Sequence, residues 1–587
     1  MERSIVVKAF ATVLACLGSL PAVAASPQPV AAAHGMVVSA QRLASEAGVE
    51  ILKEGGNAID AAVAVGYAEA VVNPCCGNIG GGGFMVIHLA DGRERFINFR
   101  ETAPAAATST MYLDAQGNVV PGESLRGYKA VGVPGTVMGL DAALREYGRL
   151  TRGQVMAPAI RLAREGFVLT QPDADILDSA VAKFRTQPAI AKIFLRPDGT
   201  GLRAGDRLVQ TDLARTLQAI ARDGAKAFYA GSIPRQIAAA SAAGDGILTT
   251  ADFAHYRITE GNPLTCIYRG YTVVSAPPPS SGGATMCEIL NILGGYDMKA
   301  LGFHSAASVH LMVEAMRHAY LDRNSFLGDP AFVKNPLGWL LSASHAADIR
   351  ATIPPDRATP SRDLASGKPP HERPQTTQVS VMDGQGNAVS MTYTLNGYFG
   401  AIEMAGDTGV LLNDEMDDFT SKPGVPNMFG LVQGTANAIA PGKRPLSSMA
   451  PTLVTRNGHV FLVLGSPGGS RIITITLETL MNVIDYGMDP QAAVDAPRFH
   501  HQWLPDVVYA EPYAFSPDTA KLLRQMGYTL KRQTPWGAVE LIEVGPPRRG
   551  AGVASSGNDS MRGGALRPGI LYGANDDRRP AGAAIGY

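Results

Sequence analysis

Residues 374–396 read P-Q-T-T-Q-V-S-V-M-D-G-Q-G-N-A-V-S-M-T-Y-T-L-N, and no other stretch limits the fold as much. Val379 and Val381 alternate with Gln378 and Ser380, the period-2 pattern of a half-buried strand. Asp383-Gly384-Gln385-Gly386-Asn387 supplies turn residues that tolerate positive φ, and 388–394 reads as the returning strand. The pattern predicts a hairpin with Thr376 and Thr377 at its mouth. Ahead of it Pro354, Pro355, Pro360, Pro369, Pro370 and Pro374 are too frequent for a helix or a central strand. Taken alone, a threonine opening a strand is ordinary, because Thr is a good β-former.

At 587 residues the chain is long for one domain and can bury a large core. With a formal net charge of −1 and 46% hydrophobic residues, nothing in the composition suggests a nucleic-acid binder, which would need a basic face, or a disordered chain. The N-terminus reads as a targeting segment over residues 1–24. Arg3 and Lys8 flank a short polar start, 9–23 is largely apolar, and Ala22 and Ala24 are the small residues before a cleavage point. The apolar run is short for a membrane span. These features predict an exported, periplasmic protein, with a lipid anchor at Cys16 as the alternative. Past the cleavage point Cys75, Cys76, Cys266 and Cys287 remain. A bond between adjacent cysteines is a strained one, Cys266–Cys287 is a further candidate, and the absence of CxxC predicts no cysteine metal site.

A helix over 39–54 with Ser39 as its cap and a wholly apolar second helix over 58–72 capped by Asn57 come next. A helix without a polar face is a buried one. The run Gly80-Gly81-Gly82-Gly83 lacks the spacing and the Lys-Ser/Thr of a phosphate loop, so it reads as backbone packed tightly on another element. Arg100-Glu101 at the end of a second hairpin reads, without context, as a surface ion pair. Residues 130–350 are mainly helical, and 409–413 reads as a short strand running into Asp414-Glu415-Met416-Asp417-Asp418. Residues 423–437 form a Gly/Pro-rich loop long enough to be a lid. Ser466-Pro467-Gly468-Gly469-Ser470 opens a helix, and such a turn presents N–H groups to an anion or oxyanion. The adjacent His500-His501 pair favours packing and hydrogen bonding over metal binding.

Together these pieces resemble the γ-glutamyltranspeptidases of the bacterial exported type, over nearly the whole mature chain. The carriers are N-I-G-G-G-G-F-M, N-F-R-E-T-A-P, Q-T-T, T-Y-T-L-N, N-D-E-M-D-D-F, K-R-P-L-S-S-M-A-P-T, G-S-P-G-G-S-R and A-P-R-F-H-H-Q-W, in that order. The resemblance implies the N-terminal-nucleophile hydrolase fold: an α+β, four-layer αββα sandwich with two stacked, mainly antiparallel sheets. It implies a precursor that cuts itself between Gln375 and Thr376, giving a large subunit 25–375 and a small catalytic subunit 376–587. A free N-terminal amine, with an unperturbed pKa of about 7.7–8.0, is a base suited to activating the Thr376 hydroxyl. By the same resemblance Thr394 hydrogen-bonds the nucleophile, and Gly468 and Gly469 form the oxyanion hole. Arg100, Ser447 and Ser448 hold the substrate's α-carboxylate, and Asn396, Glu415 and Asp418 surround its α-ammonium. The implied donors are glutathione and other γ-glutamyl amides, and the acceptors are water, amino acids or peptides. No metal or organic cofactor is implied.

Three features depart from the family's commonest pattern. Gln378 stands where many members have His, Phe429 stands in the lid where some have Tyr, and 545–569 is longer than usual. Phe429 lacks a closing hydroxyl, which predicts a looser lid, and Gln378 bears on processing rate. The rival readings are a glutaryl-cephalosporin acylase, whose substrate has no α-ammonium, and an unprocessed, inactive γ-glutamyl-binding protein. A serine hydrolase is poorly supported, because no Gly-x-Ser-x-Gly elbow occurs.

Overall fold

The computed structural model describes residues 26–364, 376–546 and 566–587. The targeting segment, most of the Pro-rich lead-in and residues 547–565 lie outside the described residues. Two seven-stranded sheets dominate the fold. Sheet I runs in the order Ala583–Gly586, Gly35–Ser39, Thr377–Asp383, Ala388–Thr394, Gly82–His88, Glu94–Asn98, Thr259–Gly261, every neighbour antiparallel. Sheet II runs Val30–Ala32, Leu571–Asn575, Glu540–Val544, His459–Leu464, Thr452–Arg456, Tyr271–Ser275, Leu264–Tyr268, also antiparallel throughout.

Strand alternation sorts the apolar side chains into layers. Val37, Met85, Ile87, Val379 and Val381 of sheet I pack outward into one core with the helices Arg42–Lys53, Ala58–Val72, Thr136–Tyr147 and Arg152–Glu165. Their neighbours Met36, Val38, Phe84 and Val86 face Leu453, Val463 and Ile542 of sheet II in a second core. On the far side Val454, Leu462 and Leu464 meet the helices Gly282–Leu293, Ala306–Phe326 and Ile472–Ile484. The layers are therefore helix, sheet, sheet, helix: the αββα sandwich.

The hairpin departs from expectation in one respect. Both its strands are buried on both faces, so the polar positions point at sheet II and not at water. Ser380 Oγ donates to Glu540 O (2.7 Å), and Ser390 Oγ donates to Leu464 O (2.9 Å) and accepts from Thr452 N (3.0 Å). Gln378 is locked between the sheets, its Nε2 donating to Ser390 Oγ (2.9 Å) and its Oε1 accepting from Thr392 Oγ1 (2.5 Å). Each such bond contributes only about 0.5–1.5 kcal/mol net, but leaving one of these buried groups unmatched costs more.

Helix Ala58–Val72 is buried along its whole length, as its composition predicts, and Asn57 with Asp60 closes its start as a capping box. The first helix is Arg42–Lys53, capped by the Gln41 side chain, because Ser39 belongs to the preceding strand. Residues 409–413 make no strand. There a Cβ on Gly80 would stand 2.1 Å from Leu411 O, and Asn413 N donates to Gly80 O (3.2 Å). Gly81 comes equally close to the carbonyl of Thr394, so the glycine run is a seat for chain leaving the hairpin. Cys266 is joined to Cys287, with Cα atoms 5.9 Å apart, and Cys75 is joined to Cys76. Among the described residues no helix is long and apolar enough to cross a membrane.

Candidate active site

Register decides which hairpin threonine faces the site. Thr377 pairs with Tyr393, so one further step sets Thr376 opposite Thr394. The side chain of Thr377 turns to the helix layer, where its Oγ1 donates to Glu69 Oε2 (3.3 Å), a carboxyl that burial pushes up to about 7. Alternation then sends Thr376 to the opposite face, where it lines a pocket with Thr394. Thr394 Oγ1 accepts from Asn396 N (2.8 Å). Asn396 sits at φ 72° as the chain leaves the strand, and its Nδ2 donates to Asp414 O (3.0 Å).

The charged end of the pocket corrects the surface reading of Arg100-Glu101, since neither residue has exposed area. Arg100 donates to Glu415 and to Asp418, reaches Pro445 O (3.2 Å), and lies 3.5 Å from Glu101 Oε2. Burial works against the guanidinium's charge, but Glu415, Asp418 and Glu101 outweigh it and hold Arg100 above its ordinary value. Burial pushes Glu101 up to about 7 and Glu415 well above the carboxylate range, both against the pull of Arg100. One cation faces three buried carboxyls, and burial with their mutual repulsion favours the protonated form of Glu101 and of Glu415. Glu415 Oε2 and both Glu101 oxygens have no hydrogen-bond partner among the described residues. Of these two residues Glu415 lines the pocket, and its unmatched oxygen suits a ligand N–H donor.

Ser447 and Ser448 complete this end. The 277–283 turn holds them: Ser447 N donates to Pro279 O (2.8 Å), and Ser281 Oγ donates to Ser447 O (2.6 Å). Ser448 Oγ accepts from Arg323 Nη2 (2.9 Å), a buried guanidinium that burial lowers to about 10. Arg323, Ser281 and Glu101 are the participants the sequence reading missed. Arg323 lies in helix Ala306–Phe326 and bonds the pocket-lining Ser448 without lining the pocket itself, and nothing local in the sequence marks it.

Gly468 and Gly469 form the turn before helix Ile472–Ile484, with φ of 152° and 57°. A Cβ at Gly469 would lie 2.5 Å from the Phe429 ring, so the lid residue packs directly on the turn. The Phe429 carbonyl accepts from Gln502 Nε2 (3.1 Å), and Gln502 in turn pairs with His500 (2.9 Å). Met428 N donates to Asp417 Oδ2 (2.9 Å). The loop thus has main-chain anchors that do not depend on a tyrosine hydroxyl. His500 and His501 are buried, hydrogen-bonded and held neutral by burial, in keeping with a packing role. Replacing Gly469 by alanine strains the φ and strikes Phe429; on the expectation that this turn receives an oxyanion, kcat falls roughly 10²–10³-fold, the usual loss for one such donor, with KM changed less. Steady-state kinetics on a γ-glutamyl anilide checks this.

Nine of the ten expected residues line this one pocket, and Gly468 borders the cavity beside it. Metal-compatible spacing occurs elsewhere, at Glu288, Asp322 and His345, whose ligand atoms lie within 4.8 Å of one another. None of these three lines the pocket.

The sequence matches the model of the gamma-glutamyltranspeptidase family over residues 44–579. The chain belongs to that family. This gamma-glutamyltranspeptidase family member is 56% identical to a glutathione hydrolase proenzyme of Pseudomonas sp. (strain A14) over 564 residues, covering 96% of each chain. It is 47% identical to the glutathione hydrolase proenzyme of Escherichia coli (strain K12) over 560 residues, covering 95% of this chain and 93% of that one. Among solved structures, the cephalosporin acylase of Bacillus halodurans superposes with a TM-score of 0.82 at 28% identity, covering 97% of this chain and 98% of that one.

Proposed function

We propose that this family member is a γ-glutamyltransferase and glutathione hydrolase that becomes active by cutting itself between Gln375 and Thr376. The observation that carries the reading is the pocket itself: Arg100 for a carboxylate, Glu415 and Asp418 for an ammonium, and Thr376 at the reacting end. Cleavage would free the Thr376 amine, which takes the proton from Oγ as that oxygen attacks the γ-carbonyl. The negative charge on the carbonyl oxygen is received by the N–H groups at Gly468 and Gly469. Collapse breaks the C–N bond, and the leaving amine takes the proton back from the Thr376 ammonium. Water or an acceptor amine then attacks the Thr376 ester by the same proton path, giving glutamate or a new γ-glutamyl amide.

The two pieces, 25–375 and 376–587, would remain one fold. Gly35–Ser39 and Gly82–His88 flank the Thr377–Asp383 hairpin in sheet I, and Arg100 and Arg323 come from the piece before the cut. The charged, then apolar, start of residues 1–24 supports export to the periplasm.

A glutaryl acyl donor keeps the carboxylate and lacks the ammonium, so Glu415 and Asp418 keep Arg100 but gain no second cation from the substrate. We expect the γ-glutamyl anilide to be turned over at least about 100-fold more efficiently than the glutaryl anilide, as expected where a buried charged contact is lost. Equal or reversed efficiency would replace this reading with the acylase one.

A further inference from the structure

Three helices of the layer behind sheet II bring together side chains for which the chemistry at Thr376 has no use. Glu288 stands on Gly282–Leu293, Asp322 on Ala306–Phe326 and His345 on Ala343–Thr352. His345 Nε2 lies 2.9 Å from Asp322 Oδ2 and 3.4 Å from Glu288 Oε1, so one imidazole nitrogen faces carboxyl groups from two other helices. Glu288 is only 2% exposed, and its Oε1 has no hydrogen-bond partner among the described residues. A buried acceptor left in this way is costly, the more so when charged, and it points to a positive partner that the chain itself does not supply. The side chains of His345 and Asp322 keep 10% and 13% of their area exposed, which lets a small ion reach the cluster from solvent.

The three groups are also held in place. Ser342 Oγ accepts from His345 N (3.1 Å) at the start of its helix, and the Trp339 ring packs on the imidazole with centroids 4.1 Å apart. Cys287, joined to Cys266, anchors the helix turn that carries Glu288. Ligands fixed on helices give a more precise site than ligands on loops.

The donor set selects the ion. Imidazole with carboxylates suits zinc and its transition-metal neighbours, whereas calcium and magnesium take oxygen ligands. A tetrahedral zinc with bonds of about 2.0–2.2 Å sets its ligand atoms about 3.3–3.6 Å apart. The Glu288–His345 separation of 3.4 Å already has that value. The 2.9 Å between Asp322 and His345 is a hydrogen-bond length, and it widens as the metal displaces the shared proton.

We propose that Glu288 Oε1, Asp322 Oδ2 and His345 Nε2 bind one divalent cation of the zinc class, with water in the fourth position, and that the ion pins the three helices together. None of the three residues lines the glutamyl pocket, so the role is structural. Asp322 is followed by Arg323, which donates to Ser448 Oγ (2.9 Å), so the ion steadies the pocket's serine end from behind.

The test uses the untagged, full-length protein, stripped with a chelator and then given ZnCl2, CaCl2 or MgCl2. One zinc per chain is expected to survive gel filtration, with Tm rising as zinc is added and neither calcium nor magnesium matching it at the same concentration. In Glu288→Gln and in His345→Gln the zinc affinity is expected to fall about 100-fold or more, since even residues that only support a ligand typically cost 10–100-fold. X-ray absorption of the zinc-loaded wild type needs no variant and should show an oxygen-rich shell with one imidazole. Wild-type protein that retains no zinc overturns the proposal. So do folded variants that bind zinc as tightly as wild type, or a zinc shell with no imidazole or built mainly of imidazole or sulfur.

Discussion

Thr376→Ala is expected to remain a single uncleaved chain and to lose turnover by roughly 10⁴–10⁶-fold, the range seen when a catalytic nucleophile is removed. Two functions fail together because one oxygen serves both: it would attack the Gln375 carbonyl to release its own amine, then the γ-carbonyl of the donor. The neighbouring threonine is the informative control. Thr377 points to Glu69 in the helix layer, away from the pocket, so Thr377→Ala should still cleave and still turn over substrate. Thr376→Ser keeps an oxygen nucleophile and should cleave, more slowly. Denaturing electrophoresis with anilide kinetics on the three variants checks the set. An active Thr376→Ala, or a Thr377→Ala that behaves like it, would move the nucleophile off Thr376.

Removing Arg100 is expected to damage both fold and site. Arg100→Ala leaves Glu101, Glu415 and Asp418 buried without their cation, and breaking a buried pair in this way costs about 3–5 kcal/mol of stability. Loss of the carboxylate contact removes about 2–5 kcal/mol of substrate recognition as well. The sign of the pH dependence follows from the raised carboxyls. A carboxyl whose folded pKa lies above its unfolded one stabilises the fold most when protonated, and that contribution is lost as pH rises from about 4.5 toward the folded value. Without Arg100 the folded values rise further, so the stability gap to wild type should be widest at pH 8 and narrow at pH 5. Thermal unfolding at the two pH values measures it. Arg100→Lys, which keeps charge but not the fork, should unfold closer to wild type while its KM stays raised. A gap independent of pH would mean that the carboxyls do not titrate as this cluster requires.

Much of this architecture was legible in local pattern. The alternation of Val379 and Val381 and the Asp-Gly-Gln-Gly-Asn turn specify the hairpin, and the unbroken apolar run after Asn57 specifies a buried helix. The four glycines were read as close backbone approach, and the carbonyls of Leu411 and Thr394 crowd Gly80 and Gly81. What local pattern could not reveal is what lies across a face. Ser380 and Ser390 look like solvent positions because alternation carries polarity but not partner, and here the partner is a second sheet. Arg100-Glu101 looked superficial because two adjacent charges at a strand end usually are. Their burial depends on Glu415 and Asp418, more than 300 residues away in sequence. Arg323 and Ser281 reach the site only through tertiary packing, so no spacing rule marks them. At Phe429 the missing hydroxyl is legible in the sequence, whereas the bonds that Gln502 and Asp417 make to the loop's main chain are not.

The central claim is that the hairpin's first threonine becomes a chain terminus. Intact mass and N-terminal sequencing of the purified wild-type protein under denaturing conditions test it most directly. The account predicts two chains, the smaller beginning Thr-Thr-Gln-Val-Ser. A single chain persisting after long incubation, or a cut at any other bond, would contradict it.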